Sequence, residues 1–585
     1  MALQRASGTR RVWLPATVMG LFALAVFARL IQLQVIEHER YAAAADAELS
    51  ASNTIYARRG TILDRNGNVL AASVDTWDIY VSARTWRDDA EAQVASGAIG
   101  AALGLDPAEL RQRVSEAGTI DVLVARDVEY EVGNELSAAR LPGVSFASNT
   151  ARVNPEGDTG ASILGFIGLD NTGLAGVEAA WNEVLQGKVG KAIYERDTTG
   201  ERIPFGDHVA IAPEPGSDLV LTIDRHLQRL CEEYLRAAIE KHDAKKGGTI
   251  LMMDPATGEI LCLATAPALK FSELDDLDLG DEEDLALLKN RAITDTYEPG
   301  SVMKVVTAAA AIDRGVVSPG TTYVDNGVVN VAGIQIRNWR FEHYGTQTMT
   351  GVLQHSINTG AVYMAQLLGA EAFHEYLEAF GFGRTTGIDL MGEAGGIVRQ
   401  PDDKDWSPVD LAAQSFGQSI SVTPLQMTSA VAAIINGGNL IRPHVVKAVV
   451  EPDGQRRDVR PRVVGRAISE ETSDTLRQMM NEVVDPDGRT YPGNPSLYTA
   501  GGKSGTANIP IYETGGYNDQ QIASFIGFAP LDDPEIVVLV MLDDNRDGAT
   551  GTEAAAPVFA RLTDETLGYL GLAPDAARYL AAGGR

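Results

Sequence analysis

Cysteine is almost absent: Cys231 and Cys262 are the two thiols in 585 residues, too few for a disulfide framework. Cys231 shares a helix face with Leu227, Leu230 and Tyr234, and Cys262 sits in the strand-like run Glu259 to Leu263. The pattern therefore predicts two separate buried thiols, with a disulfide as the alternative. Eight histidines show no HExxH or paired spacing, so neither a metal nor a cofactor is expected. Basic residues are outnumbered 49 to 79, and the net charge of −30 argues against nucleic acid and against docking of the protein body on anionic lipid. No internal repeat appears. At 45% apolar and 22% charged residues the chain has ordinary globular composition, and its length predicts more than one domain.

One long uncharged run stands near the N-terminus. Val12 to Ala28 is largely apolar, Leu30, Ile31 and Leu33 extend it, and Arg5, Arg10 and Arg11 precede it. This can span a bilayer. A signal peptide is the competing reading, but Arg29 to Gln34 offers no small-residue cleavage site, which favours an uncleaved anchor over residues 12–35. Basic residues stay inside, so residues 1–11 form a short cytoplasmic tail and the chain after about Glu37 is expected to be extracytoplasmic. Arg29 and Gln32 near the far end must snorkel or meet a partner. No cysteine lies near this segment, which speaks against a lipid-modified anchor.

The chemistry begins at Ser301. Pro299 and Gly300 stop any upstream helix, and Ser301 and Lys304 then sit one turn apart on one face of the apolar helix that follows. The helix N-terminus favours negative charge, as an acyl-transfer oxyanion requires. Lys304 lies among Val302, Met303, Val305 and Val306, where desolvation would lower its pKa toward that of a useful base. By itself SxxK is often a helix cap followed by a surface lysine. Ser356, Ile357 and Asn358 fall between two helical stretches, 349–355 and 359–368, where a short loop can point Ser356 and Asn358 into a cleft. Lys503, Ser504, Gly505 and Thr506 read as a strand with Ser504 and Thr506 on one face, while Gly505 admits a close backbone approach. Two hydroxyls and an ammonium suit a substrate carboxylate.

These three motifs, in this order, resemble the penicillin-binding protein and β-lactamase set. Asn290 to Ala292 with Tyr297 to Ser301, Phe416 to Gln418 with Thr423 to Gln426, Arg442 to His444, and Ala555 to Phe559 are similar to class B penicillin-binding proteins. The likeness runs from about Ile211 to Leu572. Ser504 stands where threonine is commoner, and Val302 where threonine usually follows the serine; neither change removes a catalytic group. The resemblance implies a peptidoglycan D,D-transpeptidase. In it Ser301 attacks the carbonyl between two D-alanines of a stem peptide, Lys304 takes the hydroxyl proton, and Ser356 relays a proton to the leaving D-alanine. Asn358 orients the Lys304 ammonium and the substrate amide, Lys503 holds positive charge near Ser356, and Ser504 and Thr506 bind the carboxylate. Backbone N–H groups of Ser301 and Thr506 form the oxyanion hole, and β-lactams acylate the same serine.

Residues 50–210 have a different composition, and a separate domain is expected over 36–212. Arg59 to Asp64 and Val69 to Ala71 flank a tight turn at Asn66 and Gly67, and this part resembles the mainly β, non-catalytic pedestal of class B proteins, as does Gly173 to Glu178. It lacks the glutamate-bearing motifs of a glycosyltransferase. Pro213 to Gly216 marks the boundary to a transpeptidase domain over 213–575, and residues 576–585 form a tail. The expected fold is α+β: an antiparallel sheet covered by helices, with the cleft between them. Phe271 to Asp284 reads as a solvated acidic insertion. The resemblance also implies partners: a SEDS-type glycosyltransferase and other divisome membrane proteins. Within class B, the stretch Phe416 to Gln426 and the compact C-terminus look more like the septal than the elongation type. A β-lactamase would share the motifs but rarely carries an anchor and pedestal. A penicillin sensor or scaffold would need a cytoplasmic signalling element, for which the short tail leaves no room.

Overall fold

The computed structural model describes residues 8–41, 50–117, 121–195, 208–278, 280–485, 491–510 and 516–575. The tail expected at 576–585 and most of that at 1–11 lie outside them. The chain forms two compact units, one from residues 1–58 with 187–215 and the other from 59–186 with 216–585.

In the first unit, Gly8–Ile31 is helical, and Trp13 to Ile36 is long and apolar enough to cross a membrane, with a mean hydropathy of 2.0. The polar residues at its far end satisfy each other locally. Arg29 Nη1 donates to Gln32 Oε1 at 2.7 Å, and Gln32 Nε2 donates to Glu37 Oε1 at 3.0 Å. The unit also holds an antiparallel sheet in the order Ser50–Ile55, Gly190–Glu195, His208–Ile211.

The second unit is built on two sheets. The central one has five antiparallel strands in the order Ile260–Ala266, Gly248–Met253, Ile536–Asp543, Tyr517–Ala529, Gly501–Pro510. Side chains alternate across a strand, and here both faces are buried. Ile250, Met252, Val538 and Val540 pack under the helices Arg225–His242 and Ala556–Tyr569. Leu251, Met253, Val537 and Leu539 face the opposite helical layer, which includes Pro424–Ile435. All twelve residues of Pro424–Ile435 are buried, as a helix apolar on every side must be. The predicted helix-covered antiparallel sheet is therefore present. The apolar strand Ile536–Asp543 does not pair directly with the strand carrying Lys503, because between them lies Tyr517–Ala529. The polar start of that strand, Asn518 to Gln521, hides its period.

The expectation of separate thiols is corrected: Cys231 and Cys262 form a disulfide, and both are fully buried. Helix Arg225–His242 packs on strand Ile260–Ala266, so two apolar positions far apart in the pattern meet in one core layer. A pairing of this kind has no local signature.

The other sheet runs Arg456–Asp458, Val446–Val450, Asp218–Leu221, Ile62–Leu63, Val69–Ser82, Asp121–Glu129, and Val144–Val153 also pairs with Val69–Ser82. Asp218–Leu221, just past the expected boundary, lies parallel to Ile62–Leu63 and antiparallel to Val446–Val450. The predicted turn is present with Gly67 at φ 86°, and the buried Asp64 accepts from the amides of Asn66 and Asn68. The part expected to be mainly β also carries the helices Asp89–Leu103, Pro107–Glu116 and Tyr130–Ala138. The first buries small residues, Ala92, Ala95, Ser96 and Gly100, beside Ile99, which gives a weak hydrophobic period. Beside these strands, Arg59 pairs with Glu178 at 2.5 Å and Arg152 pairs with the same carboxylate at 2.7 Å, all three buried. Such a cluster is strongly destabilising to break because any survivor is an uncompensated buried charge. The acidic segment folds as a 3-10 turn, Phe271–Asp276, and a short helix, Glu282–Leu287.

Candidate active site

Ser301 lies in a 3-10 turn, Gly300–Val302, that leads directly into the helix Met303–Asp313. Gly300 reaches φ 57°, and its amide donates to the Gly417 carbonyl at 3.0 Å. The two backbones nearly touch, since a Cβ on Gly417 would lie 2.2 Å from the Gly300 oxygen. Thr307 Oγ1 ties the next turn to the Ser415 carbonyl at 2.7 Å. The nucleophile turn is thereby fixed from the side of Phe416 to Gln418.

Four predicted side chains form one chain of contacts. Lys304 Nζ is 2.9 Å from Ser301 Oγ, 2.6 Å from the Ser356 carbonyl and 3.2 Å from Ser356 Oγ. Lys503 Nζ is 3.1 Å from Ser356 Oγ and 2.9 Å from the Ser504 carbonyl. Ser356 can sit between the lysines because it turns at φ 56° between the helices Met349–Gln354 and Asn358–Leu368. Non-glycine residues adopt that conformation rarely. Ser504 and Thr506 line the same cleft as Ser301, and Thr506 Oγ1 accepts from the Gly551 amide at 3.1 Å. A Cβ on Gly505 would lie 2.5 Å from Ser524 Oγ and 2.9 Å from Val302 Cγ2, so only glycine lets this strand press on the nucleophile turn.

Asn358 departs from the expectation. It lines the cleft, but its Nδ2 donates to the Arg337 carbonyl at 2.9 Å and not toward Lys304. The Ser356 carbonyl and hydroxyl hold that amine in its place. A helix-start position sets where the amide points, and sequence order alone does not.

Both lysines are buried, Lys304 at 0% and Lys503 at 1% exposure. Desolvation lowers Lys304 well below the usual lysine range, and the positive charge of Lys503 pushes it further down. Burial brings Lys503 down to about 7. A neutral Lys304 amine within hydrogen-bond reach of Ser301 can take its hydroxyl proton, and Ser356 offers a hydroxyl bridge to the second amine.

The cleft holds about 820 Å³. Its shape also depends on residues to which the sequence pattern gave no role, behind the wall as well as on it. Glu298, directly before Pro299, accepts from the Ser419 amide at 2.9 Å and from the Tyr517 hydroxyl at 3.4 Å, and burial raises its pKa. A carboxylate preceding Pro-Gly at a helix start was the available signal. The hairpin Val328–Arg337 and the loop after it, through Tyr344, form the rim beside Asn358. Their role has no linear motif.

Residues 248–564 match the family model described as the penicillin-binding protein transpeptidase domain, and residues 54–221 match the penicillin-binding protein dimerisation domain. Stage V sporulation protein D of Bacillus subtilis is 33% identical over 95% of this chain and 85% of that protein. Peptidoglycan D,D-transpeptidase FtsI of Escherichia coli is 30% identical over 96% of this chain and 93% of that protein. The crystal structure of penicillin-binding protein 2X from Streptococcus thermophilus superposes with a TM-score of 0.76 at 26% identity, covering 89% of this chain and 81% of that one.

Proposed function

Because the chain belongs to the class B penicillin-binding proteins, we propose that it is a serine-type peptidoglycan D,D-transpeptidase that cross-links stem peptides, is acylated by β-lactams and works in septal wall synthesis. The observation that carries this is the chain from Ser301 through Lys304 and Ser356 to Lys503, with successive contacts of 2.9, 3.2 and 3.1 Å.

Ser301 Oγ attacks the carbonyl between the two D-alanines while its proton moves to the neutral Lys304 amine. Lys304 and Ser356 pass a proton to the departing D-alanine nitrogen, since Ser356 Oγ lies within reach of both lysines. Ser504 and Thr506 receive the terminal carboxylate, and Lys503 supplies positive charge beside it. Backbone amides of Ser301 and Thr506 stabilise the oxyanion. Asn358 faces the cleft and meets the substrate amide. An amine from a second stem peptide then displaces Ser301. A β-lactam forms the same ester as its ring C–N bond breaks, but the released nitrogen stays tethered to the acyl group and does not vacate the site.

The apolar N-terminal helix anchors the protein in the cell membrane, residues 36–212 act as the pedestal, and the transpeptidase domain over 213–575 lies on the extracytoplasmic side. A SEDS-type glycosyltransferase supplies the glycan strands, because the pedestal sequence carries no glycosyltransferase motif. Intact-mass measurement after penicillin treatment tests the catalytic reading: one adduct on Ser301 that persists is expected. No adduct, or turnover within minutes, overturns it. With lipid-linked disaccharide-pentapeptide the protein alone should make no polymer, and cross-linked glycan should appear only when the glycosyltransferase is added.

A further inference from the structure

A transpeptidase must hold two peptides at once, and the side chains assigned so far account for one. The donor carboxylate has Ser504, Thr506 and Lys503. The second peptide, which brings the amine, carries carboxylates of its own, in a protein whose net charge of −30 repels them. The rim loop after the hairpin Val328–Arg337 offers the missing complement.

Its chemistry is unusual for an exposed loop. Trp339 is 48% and Phe341 70% exposed at the edge of the cleft. The Arg340 guanidinium lies 4.0 Å from the Trp339 ring centre, and that of Arg337 lies 5.0 Å from the Phe341 ring. A guanidinium stacked by its face keeps its in-plane N–H donors free for a carboxylate. Among the described residues neither arginine takes part in an ion pair. Among the described residues Arg337 Nη2 donates only to Gln335, at 2.7 Å. Glu553 senses the Arg340 charge, but one of its oxygens caps the Thr550 turn at 2.9 Å.

The backbone supplies an independent observation. Arg340 and Phe341 are consecutive non-glycine residues at φ 53° and 59°. Strain of that kind persists only where the surroundings over-determine it. Here the buried Asp325 does so. It accepts from Asn338 Nδ2 at 2.9 and 3.0 Å and from the Tyr344 amide at 2.8 Å, which pins both ends of the loop. It also accepts from Thr359 Oγ1 at 2.6 Å, next to Asn358. The loop is thus locked to the helix start that follows Ser356.

We propose that Arg340 on Trp339 and Arg337 on Phe341 form the acceptor subsite, binding a carboxylate of the amine-bearing stem peptide so that its amine is delivered to the Ser301 ester. The amine nitrogen bonds to the acyl carbon, the bond from that carbon to Ser301 Oγ breaks, and the proton shed by the amine returns to Ser301 Oγ through Lys304. This rests on the transpeptidase reading and names two residues that act after acylation.

The test uses the full chain in detergent, a thioester donor that acylates Ser301, and a stem tripeptide with one free amine. The tripeptide is prepared twice, with its carboxylates free and with them amidated. The readout is the ratio of aminolysis to hydrolysis of the acyl-enzyme. Wild type should prefer the free-carboxylate acceptor by about tenfold or more, the value of a charge-assisted hydrogen-bond pair. Arg340→Ala and Arg337→Ala should bring the two acceptors toward equality while penicillin acylation stays within about twofold of wild type, a bound well under the effect sought. The proposal is overturned if wild type does not discriminate, if the variants keep the preference, or if acylation falls in step with aminolysis. Failure of wild type to react with penicillin would instead remove the transpeptidase reading.

Discussion

Replacing Lys503 with methionine should inactivate the protein and stabilise it. The lysine is 1% exposed, and its pKa falls from 10.5 to about 7 through desolvation. At about 1.4 kcal/mol per unit, holding this amine in the fold costs about 5 kcal/mol at pH 7. Methionine fills a similar volume without the charge. The substitution gives up two hydrogen bonds, to Ser356 Oγ and to the Ser504 carbonyl, worth about 1 kcal/mol each. The net gain is about 3 kcal/mol at pH 7. The sign of its pH dependence follows from the depressed folded pKa. Between about 7 and 10.5 the unfolded chain binds more protons than the native one, so wild-type stability rises with pH. That contribution is complete above the unfolded value and lost as pH falls through about 7. The methionine variant lacks this slope, so its advantage should shrink by about 1.4 kcal/mol per pH unit and nearly vanish by about pH 9. Urea denaturation of the detergent-solubilised chain at both pH values, followed by circular dichroism, measures the difference. A variant less stable than wild type at neutral pH, or an equal advantage at both pH values, would refute the reasoning.

Ser301→Ala should abolish covalent penicillin labelling at a stability cost of about 1 kcal/mol, seen as an intact urea transition without an adduct in the mass spectrum. Lys304→Arg cannot deprotonate and should slow acylation by about a hundredfold or more in stopped-flow penicillin binding; in wild type the same rate should rise as pH climbs through the depressed Lys304 pKa. Replacing Cys231 and Cys262 together by alanine releases a link spanning 31 residues and should lower stability by about 3–4 kcal/mol in the same denaturation assay, with the acylation rate little changed. Gly417→Ala, at φ 84° with its new Cβ 2.2 Å from the Gly300 oxygen, should displace the nucleophile turn and depress acylation more than it depresses secondary-structure content.

Much of the fold was legible because its signals are local. The turn Asn66 to Gly67 and the helix face shared by Leu227, Leu230, Cys231 and Tyr234, found within Arg225–His242, rest on turn chemistry and on a 3.6-residue period, which a short window of sequence contains. The spacing of Ser301 and Lys304 works in the same way, since one helical turn places them together whatever the rest of the chain does. Locality also explains what was missed. The alanine-rich helix Asp89–Leu103 has too flat an apolar period to stand out, and the polar first half of Tyr517–Ala529 hid a central strand.

The sequence by itself determined the kinds of group available: a serine, two lysines, a second serine and a hydroxyl pair in an order that names a chemistry. Tertiary structure decided which of them meet. Lys304 reaches Ser356 across 52 residues, and Lys503 reaches it across 147, because helix packing and sheet register bring those segments to one cleft. The same non-local packing joined Cys231 to Cys262, turned the Asn358 amide toward Arg337, and set Glu298 under Ser419. It also set the charge states, since a lysine's pKa falls only once surrounding chain has removed its water, and no residue carries that information alone.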